Sequence, residues 1–201
     1  MATTASPYGF VPVRKADGTP YAGARDAFLI TPAGVAQNIG YGSIVELNAG
    51  YVQLASGTGA DATTNNLGGN GIGALGVFVG CEYVNSSGQL VQAQYYPSGT
   101  SNGDAIKAYV VDDPNVLFQV QADGAMDQSD IGANTFFAAA QSTSTGSTTT
   151  GNSTSAVDAT TVTTTAAFRI VSAVSPITDA FPDLLVKFNP GYSSMTNAVG
   201  L

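Results

Sequence analysis

Val116-Leu-Phe-Gln-Val-Gln-Ala-Asp123 decides the fold class. Val116, Phe118, Val120 and Ala122 fall at every second position, with Gln119, Gln121 and Asp123 between them. Side chains of an extended chain point alternately to opposite faces, so this spacing puts an apolar row on one face and a polar row on the other, as in a half-buried β-strand. Leu184-Leu-Val-Lys-Phe188 has the same pattern, with Leu184, Val186 and Phe188 inward and Lys187 outward.

Outward from these two runs, other short stretches rich in β-branched and aromatic residues are separated by Gly, Asn, Asp, Ser and Pro. They are Ala27 to Ile30, Ser43 to Leu47, Tyr51 to Ala55, Ala74 to Val79 and Ala167 to Val174. Gly80-Cys-Glu-Tyr-Val84 and Gln89 to Tyr96 flank Asn85-Ser-Ser-Gly88, which predicts a hairpin. Ala105 to Val111 and Val116 to Gln121 flank Asp112-Asp-Pro-Asn115, which predicts a second one. Thr135 to Gln141 reads as a helical turn or two, or another strand. The sum is on the order of eight to ten strands, so the fold is expected to be mainly β, an antiparallel β-sandwich or jelly-roll-like barrel.

Three segments frame the body. Residues 1–20 carry Pro7, Pro12 and Pro20 with Gly9 and Gly18, which blocks a stable helix and favours an extended N-terminal arm. Phe10, Val11 and Val13 need burial, either as an edge strand of the chain's own domain or on a neighbouring subunit. The β-rich body is expected over residues 21–188, and within it Ser and Thr dominate 142–165, an exposed loop or elaborated strand pair. Residues 189–201 read as a C-terminal tail.

Composition bounds the function. The chain has 201 residues, enough for one main domain. Only 10% of residues are charged, against roughly 25% in ordinary soluble domains, so the expected surface is polar yet nearly uncharged. Such a surface suits a protein packed against neighbours. The net charge is −8 with six cations, which argues against nucleic-acid binding. Cys81 is the single cysteine, so no intrachain disulfide forms and a reducing compartment is expected. The N-terminus lacks the pattern of a signal peptide, and no apolar run approaches the ~20 residues that span a bilayer, so no membrane association is expected.

Candidate chemistry is sparse. The chain contains no histidine, which removes a Ser-His-Asp triad and the commonest metal ligand. Gly71-Ile-Gly73-Ala-Leu-Gly76 matches a dinucleotide fingerprint in spelling, but it runs into strand-like Val77-Phe-Val79 rather than a helix N-terminus. Asp123, Asp127 and Asp130 lack calcium-loop spacing and read as turn carboxylates, as do Asp112 and Asp113. Cys81 has no basic neighbour and reads as a buried thiol. No enzyme, cofactor or metal is expected.

The stretches Ala2-Thr-Thr-Ala-Ser-Pro-Tyr-Gly-Phe-Val-Pro-Val-Arg14, Gly76-Val-Phe-Val-Gly-Cys-Glu-Tyr83, Tyr95-Tyr-Pro97, Ala108-Tyr-Val-Val-Asp-Asp-Pro-Asn115 and Phe118-Gln-Val-Gln121 have a family character. With Phe168-Arg-Ile170 and Val186-Lys-Phe-Asn189 they resemble, in order along the chain, the capsid cement (decoration) proteins of tailed phages from aquatic environments. The resemblance implies a virion structural protein, assembled in the host bacterial cytoplasm. It would bind the outside of the major capsid protein lattice as a homotrimer and stabilise the mature head. Its motifs carry no catalytic residue. On this expectation Phe10, Val11, Val13 and Arg14 are the candidate contacts, through strand addition to a neighbour. The alternatives are a tail or fibre-associated module that recognises a host surface glycan and, lower in order, the major shell protein itself.

Overall fold

The inward row of Val116, Phe118 and Val120 lies on an interior strand of a sheet, hydrogen-bonded on both sides. The computed structural model describes residues 4–57, 73–100, 106–139 and 146–197. Among these the strands are β1 (Val11–Lys15), β2 (Asp26–Ile30), β3 (Ile44–Asn48), β4 (Tyr51–Leu54), β5 (Gly76–Val84) and β6 (Leu90–Ala93), then β7 (Ile106–Val111), β8 (Val116–Gln121), β9 (Asn134–Thr135), β10 (Phe168–Ala173) and β11 (Asp183–Phe188). The helical content is one 3-10 turn at Gln128–Asp130. Two antiparallel sheets result: a five-stranded one ordered β1-β8-β11-β10-β9, and a six-stranded one ordered β2-β7-β5-β3-β4 with β6 on the far half of β5. The expected β-sandwich is therefore present.

Alternation along the strands divides the interior into two cores. Val116, Phe118 and Val120 of β8 meet Leu184, Val186 and Phe188 of β11, together with Phe168, Ile170, Ile44, Val77 and Val111, in a core between the sheets. The next residues along the six-stranded sheet, Val45, Phe78 and Val110, point the other way into a second core with Ile30, Val52 and Ile106. The end strands β2 and β4 come close to each other, so this sheet curls around that second core. A single wall thus serves two interiors.

The polar face of β8 is not left to water. The Ser6 backbone N–H donates to Gln121 Oε1 (2.8 Å), the Tyr8 hydroxyl donates to Asp183 Oδ1 (2.8 Å), and Gln119 Nε2 donates to Tyr8 Oη (2.9 Å). These bonds lay the segment before β1 across the outer face of the five-stranded sheet, and Gln121 is buried as a result. The expected arm is accordingly part of the body's own fold from Ser6 onward.

Of three other expectations, one holds and two change. The Asn85–Gly88 hairpin forms as expected, with Val84 opposite Leu90 and the Asn85 side-chain oxygen accepting from the Ser87 and Gln89 N–H groups at 3.0 and 2.9 Å. The Asp112–Asn115 turn does not make a hairpin, because β7 belongs to the six-stranded sheet and β8 to the five-stranded one. It is the corner that carries the chain between sheets, held by a Lys15–Asp113 ion pair at 2.9 Å. Ala74 to Val79 and Gly80 to Val84, read as separate strands, form one long strand, β5, with a bulge at Gly80.

The Ser/Thr segment also departs from expectation. Thr148 to Thr150 and Thr163 to Thr165 are exposed, but Ser153, Ser155 and Val157 are buried. The Ser153 and Ser155 hydroxyls satisfy each other at 2.7 Å, and Val157 bridges to Ala122 and Phe137. The Ser153 N–H donates to the Tyr41 carbonyl (2.7 Å), bringing the segment against the Gly40–Gly42 backbone. At Gly42, with φ at +82°, a Cβ would stand 2.8 Å from the Phe10 nitrogen, so only glycine permits this approach. Phe136 and Phe137 come directly after the two-residue strand β9, and no helix forms over the described part of Thr135 to Gln141. Gln141 itself and residues 142–145 lie outside the described residues.

Candidate functional site

The four residues expected to contact a neighbour have different fates. Phe10 is fully buried between Phe137 and Phe168, with ring centroids at 5.6 and 5.0 Å, so it anchors the chain's own core and is no external contact. Val11 and Arg14 are half-buried in β1, opposite Gln119 and Leu117 of β8, and Val13 is 40% exposed. The outer rim of β1 is closed: Tyr21 N–H donates to the Val13 carbonyl (3.2 Å), Lys15 N–H donates to the Thr19 carbonyl (2.8 Å), and Pro12 has no N–H. A strand capped in this way does not template another, so strand addition at β1 is disfavoured.

Besides Val13, Val174 and Met195, the exposed large apolar side chains lie on edge strands of the six-stranded sheet. Leu29 of β2 is 44% exposed, Tyr51 of β4 38% and Leu90 of β6 64%. All three strands pair on one side only.

The bulge in β5 makes the second notable feature. Phe78 pairs with Val110 of β7 and Gly80 with Tyr109, so Val79 is the extra residue. Gly80 adopts φ +145°, and a Cβ there would lie 3.1 Å from the Ala93 carbonyl oxygen. Above this side-chain-free spot is an open cleft of about 310 Å³, walled by Arg25, Tyr41, Gln92, Gln94 and Tyr109. The Arg25 guanidinium carbon stands 4.2 Å from the centre of the Tyr109 ring. Tyr109, Gln92 and Lys107 all donate to Glu82, at 3.3, 3.1 and 3.2 Å, and the Gln92 bond followed by the Lys107 bond holds the Glu82 carboxyl below its usual range. The Gln94 amide donates to the Asn152 side-chain oxygen. Burial pushes the Tyr41 hydroxyl pKa up.

The remaining candidates resolve as structural groups. Burial pushes the Cys81 thiol up to about 12, and it donates to the Tyr95 carbonyl at 3.4 Å, so it is a protonated thiol at neutral pH. Asp123 Oδ1 accepts from Ala159 N–H (2.8 Å), and Asp130 accepts from Asp127 N–H (2.8 Å) and the Thr161 hydroxyl (2.7 Å). These carboxylates tie the 3-10 turn and the Ser/Thr segment together, and no group of three or more metal-ligating side chains occurs among the described residues. Gly71 and Ile72 lie outside the described residues, and at Gly76 the chain enters strand β5 rather than a helix.

Sequence reasoning missed Arg25, Tyr41, Gln92, Gln94 and Tyr109, which come from four separate stretches of chain. The one available signal was Gly80, a glycine in the middle of an apolar strand, which marks a bulge or a close approach. The geometry offers donors, acceptors and ring faces. Compared with known protein families, with curated proteins and with solved structures, the chain finds no match in any of the three.

Proposed function

We propose that this chain is a virion structural protein of a tailed phage that binds the outside of the major capsid lattice and stabilises the mature head. One observation carries the proposal: the stretches resembling cement proteins supply residues to both cores. Phe10, Val77 and Phe118 belong to the inter-sheet core, and Phe78, Cys81, Tyr96 and Val110 to the inner one. The resemblance therefore spans the whole sandwich rather than one loop. A net charge of −8 with scattered cations supports an outward-facing position away from packaged DNA.

Attachment moves from the arm to the edges of β2, β4 and β6, where Leu29, Tyr51 and Leu90 are exposed. Contacts made only on the expanded lattice stabilise it by linkage, and self-association as a homotrimer would multiply them. Co-sedimentation with purified capsids tests this. Binding that is lost in Leu90→Asp and Tyr51→Asp variants supports it, and electron-microscopy density confined to the tail refutes it.

A second function, a tail or fibre-associated module that recognises a host glycan, is favoured by the Gly80 cleft. Retention on a glycan array with no affinity for capsids would select it.

A further inference from the structure

We infer that the Gly80 cleft takes a sugar bearing a carboxylate, a hexuronic acid unit, with Arg25 as the group that holds the carboxylate. This rests on the glycan-recognition reading and is independent of capsid binding.

The first support is the state of the cations. Lys15 is paired with Asp113 at 2.9 Å and Lys107 with Glu82 at 3.2 Å, while Arg169 Nε donates to Asn134 Oδ1 at 2.7 Å. Arg25, like Arg14 and Lys187, has no ion pair among the described residues, and it is the cation that lines the cleft, held against the Tyr109 ring. Contact with a ring face leaves the in-plane N–H groups of a guanidinium free, and their fork matches a carboxylate. Of the nearby acids, Glu82 already accepts from three donors.

The second support is the rest of the wall. Gln92 gives its amide nitrogen to Glu82, which leaves its side-chain oxygen as an acceptor, and the Tyr41 hydroxyl has no protein partner among the described residues. Rings together with amide and hydroxyl groups suit the apolar faces and hydroxyls of a sugar. About 310 Å³ is at the low end of small-molecule sites, which run from roughly 300 to 1,000 Å³, so one or two sugar units fit. The acidic body opposes long polyanions. The cleft opens over the bulge in β5, between Gln92 of β6 and Tyr109 of β7.

Calorimetric titration of the intact chain with digalacturonate, with the corresponding neutral digalactoside and with an acidic dipeptide tests the inference. The uronate is expected to bind at least about tenfold more tightly than the neutral sugar. Arg25→Ala is expected to remove that preference while lowering the melting temperature only slightly, because Arg25 is exposed and gives up only its contact with the Tyr109 ring. Equal binding of both sugars, unaffected by Arg25→Ala, overturns the uronate inference and leaves glycan recognition standing. Binding of the dipeptide alone, or of nothing, overturns both.

Discussion

Between the sheets, Phe10, Phe118, Phe137, Phe168 and Phe188 form one connected set of rings, with centroid separations of 5.0 to 5.9 Å. Inside the curled sheet the filling is Ile30, Ile39, Val45, Val52, Leu54 and Ile106, with Phe78 and Tyr96 as the aromatic residues. Tyr96 is also a tether: its hydroxyl donates to the Thr100 carbonyl (2.7 Å) and accepts from Val35 N–H (3.2 Å). One core is held by ring packing. The other is held by aliphatic burial plus a polar anchor for the loops around it. The edges carrying Leu29, Tyr51 and Leu90 belong to the sheet that curls around this second core.

The difference can be challenged by mutation. Phe168 touches Phe10, Phe137 and Phe188, so Phe168→Ala should have the largest effect, destabilising by about 3–5 kcal/mol in chemical denaturation. A smaller loss would mean that the rings repack. Tyr96→Phe keeps the ring and removes both hydroxyl bonds, and should cost about 1–3 kcal/mol, with faster amide exchange at Val35. Unchanged exchange there would remove the tether from the comparison. Ser43 is fully buried beside the shared wall and its hydroxyl has no partner among the described residues, so Ser43→Ala should be neutral or stabilise by up to about 1 kcal/mol.

The smallest effects belong to the corner between the sheets. The hydrogen bond from Lys15 holds the Asp113 carboxyl below its usual range, whereas burial, followed by the Asp26 charge, raises that of Asp112. The lowered group stabilises the fold above the ordinary aspartate pKa and loses that contribution as pH falls through its folded value. The raised group favours the fold below the ordinary value and loses that contribution as pH rises through its folded value. Asp113→Asn should therefore lower the melting temperature slightly at pH 7, and Asp112→Asn should raise it slightly. Both differences should vanish in acid, and equal signs at pH 7 would show that the two side chains do not differ in environment.

Much of this fold was legible because alternation reports burial directly. Val116 to Ala122 and Leu184 to Phe188 gave the inward rows, and Asn85 to Gly88 gave its hairpin. A turn signal says that the chain reverses but not which sheet receives it, so Asp112–Asn115 was misread. Phe10 looked available because sequence shows the need for burial and not the partner that meets it. Ser153 and Ser155 were assigned to the surface by residue type, although paired hydroxyls can enter a core. The cleft was illegible because its wall assembles from distant stretches and depends on a one-residue bulge.

The pairing of Val11 with Gln119 has a consequence for the order of events during synthesis. Every buried residue of the inner core lies between Ile30 and Val110, so that core can close before β8 is made. Phe10 and β1, made before that core, must wait for β8, and the ring cluster for Phe168 and Phe188. Closing so wide a loop is slow. The residues of β1 thus precede the inner core in synthesis and follow it into place.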